Sequence, residues 1–170
     1  YQEVLSNTYT DHHPPLMAYL WHYLNLIYPG PLLMYLFNML LLWSAVYILA
    51  YKIFKNNTYL KYYTLLIPFI PSIAVYAGWI WKDIIFSFGY GLLAMYLADC
   101  MLSNKKPGLI ASCIFFVALI FFTSVKYQAQ FICPLMVYWF FYTLNFCKFD
   151  KKLLLSTTAA AALLIFAMHS

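Results

Sequence analysis

Long apolar runs with almost no charge set the first constraint on this chain. They fall at about 32–53, 61–80, 84–102, 108–125, 131–147 and 153–168. A helix needs roughly 20 such residues to cross a bilayer, and only helices or closed barrels satisfy their own backbone there. The spacing predicts an all-α fold, a polytopic transmembrane helical bundle of about six spans, the last of them short. Composition agrees: 65% of residues are hydrophobic and 9% charged, against about 25% charged in a soluble domain. The aromatic share of 22%, with 17 Tyr, suits a protein with many membrane–water boundaries.

Residues 14–28 form a shorter apolar piece that contains His22 and Asn25. It is too short and too polar to span, so the expectation is an amphipathic helix lying on the membrane surface. Pro14-Pro15 suits its first turn, and Pro29-Gly30-Pro31 ends it. The chain thus divides into residues 1–30, a loop and surface helix, and residues 31–170, the transmembrane domain. It opens on Tyr1 in a polar segment, as expected of a piece of a longer protein, with a start left by processing as the alternative.

The ten lysines orient the spans, and there is no arginine. With six alternating spans, the loops holding Lys52, Lys55 and Lys61, then Lys105 and Lys106, then Lys148, Lys151 and Lys152 share one side. By the positive-inside rule that side is the cytoplasm. Residues 1–30, the loop around Trp81-Lys82-Asp83 and the loop around Lys126-Tyr127-Gln128 then face outward. The lysines form no basic face, so a nucleic acid is not the expected partner. The Asn56-Asn57-Thr58 sequon falls inside and is discounted. Cys100, Cys113, Cys133 and Cys147 show no metal-ligand spacing and read as small apolar fillers. Pro68 and Pro71 fall inside the second span and are expected to bend it.

Chemistry concentrates on the outer face. Asp11 sits in Tyr9-Thr10-Asp11-His12-His13-Pro14-Pro15, where a carboxylate could accept a proton from a hydroxyl or bind a divalent metal. His12 and His13 could orient it, bind an anion or supply metal ligands, although neighbours in sequence point apart and do not suit one shared metal. The plainer alternative is that Asp11 caps the helix at Pro14-Pro15. Lys82 could meet a phosphate with Asp83 holding it, or the pair could be an interfacial anchor and cap. Lys126, Gln128 and Gln130 make a third polar patch on the same side, able to reach a phosphate or sugar hydroxyls. His22 could face the same cleft or belong to a simple polar stripe with Asn25. Asp99, near the cytoplasmic end of the third span, reads as a carboxylate reaching the interface.

The run Tyr9-Thr10-Asp11-His12-His13-Pro14-Pro15-Leu16-Met17 resembles the first outer loop of bacterial membrane glycosyltransferases of the GT-C superfamily. This group includes the protein mannosyltransferases and the aminoarabinose transferase of lipid A. The segment Trp81-Lys82-Asp83 is similar to a later outer-loop motif of some members. The likeness covers roughly residues 1–130. It departs from the family in having His12 where many members carry a second acid, and no arginine for the donor phosphate.

The resemblance implies a polyprenyl-phosphate-linked sugar as donor and a lipid, glycan or protein acceptor. Asp11, with His12 beside it, would be the catalytic base. His13, His22, Lys82, Asp83, Lys126 and Gln128 would bind substrate. No cofactor is fixed by the sequence, and a divalent metal at Asp11 is the one option. The implied location is the bacterial cytoplasmic membrane, among its lipids, with residues 1–30 on the outer face. The rival readings are a lipid or small-solute transporter and a structural membrane subunit.

Overall fold

The computed structural model describes residues 15–79, 82–126 and 129–145, and every regular element among them is helical. Helix α1 is Pro15–Ile27. It starts on proline, which suits a first helical turn because the missing N–H would have no partner there. The bend after it is made by Gly30 at φ +116°, a conformation that side chains rarely adopt. The Asn25 side chain fixes that bend by accepting from the Gly30 N–H at 3.0 Å. Leu16, Met17, Leu20, Trp21 and Leu24 of α1 pack on the main core. Its other side carries exposed Tyr19, Tyr23, Leu26 and Ile27. The helix is therefore apolar nearly all round, and lipid suits such a surface better than water does.

Helix α2 is Leu32–Tyr47. It runs on without a break into a π-helix, Ile48–Ile53. The 22 residues are continuous and apolar, about 33 Å at the usual rise and enough to cross a bilayer. Helix α3, Thr58–Leu65, is capped by Asn57, whose side chain accepts from Leu60 N–H at 3.1 Å. A 3-10 turn, Ile67–Phe69, leads to helix α4, Pro71–Ala77. The two halves of this segment bend by 53°. Pro68 and Pro71 lack the donors that a continuous helix would need, so the expected bend occurs where they stand.

Helix α5 is Lys82–Leu102, helix α6 Leu109–Val125 and helix α7 Ala129–Asn145, with Pro134 inside α7. Among the described residues, two helices are long and apolar enough to cross a membrane, or three if the bent pair is one span. Helices α6 and α7 are apolar but shorter, at 17 residues each.

The core forms where α5, α6 and α7 meet with α2 alongside. Ile85, Leu97, Phe115, Leu119, Val125 and Phe140 are almost fully buried in it. Phe115 and Phe140 stack with centroids 4.8 Å apart, and Phe116 meets Phe140 edge-on at the same distance. Gly89 on α5 is the point of closest approach to α6: a Cβ there would fall inside contact distance of the Phe122 ring. Outward surfaces are apolar as well. On α6, Leu109, Ile110, Ile114, Val117 and Ile120 are exposed along one face. Water disfavours a patch of that size, whereas hydrocarbon accepts it.

Candidate functional site

Asp83 and Lys126 meet at one end of the bundle. Asp83 stands in the first turn of α5. Lys126 is the residue at which α6 leaves helical geometry, with φ −143° and ψ 125°. Both positions suit their charges, since a helix N-terminus favours an anion and a C-terminus a cation. The Lys126 ammonium lies 2.8 Å from Asp83 Oδ1. It also sits 5.4 Å above the centre of the Phe86 ring, one turn further along α5. Lys126 is mostly covered, with 23% of its side chain exposed, while Asp83 is half-exposed at 46%. The Oδ1 that meets Lys126 is itself buried, while the rest of the Asp83 side chain reaches water, so the pair's own contribution to stability is small.

Two turns below Asp83, and about 10 Å deeper along α5, lies a buried polar chain. The Thr123 hydroxyl donates to the Leu119 carbonyl at 2.7 Å. Its proton being committed, the 2.7 Å contact between Tyr90 and Thr123 has the tyrosine O–H as donor. The Ala129 carbonyl lies 3.4 Å from the same tyrosine oxygen. Tyr90 thus ties α5 to α6 and reaches the start of α7. It thereby links the two helix ends that present Lys82, Asp83 and Lys126 to the start of α7. Tyr90 is seven residues after Asp83, and Thr123 three before Lys126. Helical spacing alone puts each on the face of its charged neighbour, and that was the available sequence signal for both.

Asn38 of α2 sits against the same end. It is fully buried, and its amide nitrogen donates to the Trp79 carbonyl at a long 3.4 Å. Among the described residues its Oδ1 has no hydrogen-bond partner.

The structure thus brings together Asp83 and Lys126, with Lys82 adjacent in α5. Asp83 holds Lys126, 43 residues away, at 2.8 Å. His22 is on α1, half-buried, with its ring edge-on to Tyr23 at 5.8 Å. Asp11, His12, His13 and Gln128 lie outside the described residues. Among the described residues, no group of three or more His, Cys, Asp or Glu could hold a metal ion. At the opposite end of α5, Asp99 accepts from the Ser103 hydroxyl at 3.2 Å.

Set against known protein families, curated proteins and solved structures, the chain matches none.

Proposed function

We propose that this protein is a membrane glycosyltransferase that moves a sugar from a polyprenyl-phosphate donor to an acceptor hydroxyl at the outer face of a bacterial cytoplasmic membrane. The observation that carries the proposal is the 2.8 Å pairing of Asp83 with Lys126. It joins the two loops whose lysines, in a chain without arginine, would have to serve the donor phosphate if the GT-C resemblance holds. An ammonium has three N–H donors, and one carboxylate contact leaves Lys126 the capacity to meet a phosphate oxygen. Its near-burial against Phe86 strengthens such a contact relative to one in water. In this proposal α6, α7 and the apolar run at 153–168 complete the six crossings.

In the proposed reaction, Asp11 takes the proton from the acceptor hydroxyl. The acceptor oxygen attacks the anomeric carbon as the bond from that carbon to the phosphate oxygen breaks. The lipid phosphate leaves with the bonding electrons, and one displacement inverts the configuration. Lys126 and Lys82 stabilise the departing negative charge. His12 orients Asp11, while His13, His22 and Gln128 serve the sugar or the acceptor.

The test uses full-length protein in lipid nanodiscs with a polyprenyl-phosphate sugar. Lys126→Gln should raise the KM for donor about tenfold, the scale of one charge-assisted hydrogen bond. Lys105→Gln, at the other end of the bundle, should leave it unchanged. A donor KM unmoved by Lys126→Gln would remove Lys126 from the site.

A further inference from the structure

A second feature lies on the opposite half of the molecule, away from Asp83 and Lys126. A groove of about 530 Å³ runs along the outside of α2 and its π-helical extension and is closed on one side by α3. Its lining is almost wholly apolar and aromatic: Leu40, Trp43, Tyr47, Ile48, Tyr51 and Leu65. From Leu40 to Tyr51 it follows α2 for about 16 Å at the helical rise. That is about half the roughly 30 Å thickness of a bilayer's hydrocarbon layer, the depth of a single leaflet.

The groove is apolar at its Leu40 end and cationic at its Tyr51 end. Tyr47 and Tyr51 stack with centroids 5.2 Å apart, and the Lys61 ammonium sits 4.1 Å from the centre of the Tyr51 ring. Lys52 and Lys55 are exposed in the same stretch. Residues 51–66 contain three lysines and no acid. Exposed Tyr59, Tyr62 and Tyr63 ring this end in the manner of an interfacial belt. The π-helix at Ile48–Ile53 adds to the case, because widened turns within helices are frequent at functional sites.

We propose that this groove binds one acyl chain of an anionic phospholipid, with the phosphate of its headgroup held by Lys61 at the mouth. The leaflet-deep apolar channel selects a hydrocarbon chain. The acid-free lysine cluster at its open end selects negative charge. The site is independent of the proposed sugar transfer, and it lies at the lysine-rich end of the spans.

The test reconstitutes the full chain into phosphatidylcholine vesicles doped with either dibrominated phosphatidylglycerol or dibrominated phosphatidylcholine. Bromine quenches tryptophan on contact, and subtracting the Trp43→Phe protein isolates the signal of the groove-lining Trp43. Phosphatidylglycerol should quench Trp43 at about a fivefold lower mole fraction, which is the worth of one lysine near a charged headgroup. Lys61→Gln should bring the two curves together while leaving the phosphatidylcholine curve where it was, which also shows that the groove is intact. Lys61→Arg should keep the preference, as should Lys105→Gln. Coincident curves in the wild type, or a preference that survives Lys61→Gln, would overturn the proposal.

Discussion

Gly89→Ala is the sharpest structural perturbation available in this bundle. The added Cβ would land on the Cγ, Cδ1 and Cε1 atoms of Phe122, inside any normal carbon contact of about 3.5–4.0 Å. Phe122 cannot easily withdraw. It is 4% exposed, and its ring sits edge-on to Phe121 at 5.3 Å. Helices α5 and α6 must therefore part, or the ring must leave its rotamer, at a cost of about 1–3 kcal/mol. Gly91, two residues on, supplies the control, because a Cβ there meets nothing within 4 Å. Gly91→Ala should be neutral or stabilise by up to about 1 kcal/mol through helix propensity. The two alanines should thus differ by roughly 1–4 kcal/mol. The assay is reversible unfolding in mixed micelles on titration with dodecyl sulfate. Adding Phe122→Leu to Gly89→Ala should restore part of the loss, as expected of residues in direct contact. A Gly89→Ala protein as stable as wild type would mean that α5 and α6 do not meet at this point.

Three further outcomes follow from the site. Thr123→Val should cost about 1–3 kcal/mol, because it takes the 2.7 Å acceptor from the buried Tyr90 hydroxyl. Tyr90→Phe should cost about 1 kcal/mol, because Thr123 keeps its bond to the Leu119 carbonyl, and the double variant should lose less than the sum, because the two share one bond; additive losses in the same unfolding assay would deny that contact. A double-mutant cycle on Asp83→Asn and Lys126→Gln should give a coupling of at most about 1 kcal/mol, since Asp83 is half-exposed. A larger coupling would require the pair to be buried. Asn38→Leu should be neutral or mildly stabilising, because it replaces a buried amide whose Oδ1 has no partner among the described residues. A loss above about 2 kcal/mol would show that this oxygen is in fact satisfied.

The helices were legible in the sequence because lipid imposes a one-dimensional rule: length and lack of charge suffice. The run at 32–53 predicts the continuous helix Leu32–Ile53, and the prolines at 68 and 71 mark the bend. The π-helix at Ile48–Ile53 was not legible, since its residues are the same apolar types as the α-helix before it. His22 and Asn25 suggested a polar side, but Asn25 turns back to the Gly30 N–H and tyrosines fill the outward face. The lysine distribution grouped the loops of Asp83 and Lys126 without saying that the two side chains meet. That contact needs the α5–α6 crossing, which Gly89 and Phe122 determine in three dimensions. The Tyr90–Thr123 chain was hidden because each residue, taken singly, is an ordinary polar residue in an apolar helix.

The most direct measurement is sugar transfer itself. Full-length protein in nanodiscs would be given a polyprenyl-phosphate sugar and an acceptor, and release of the lipid phosphate followed in wild type and in Asp11→Asn. The proposed chemistry predicts turnover by the wild type and a loss of about a hundredfold or more in the variant. Equal rates in the two proteins would contradict it.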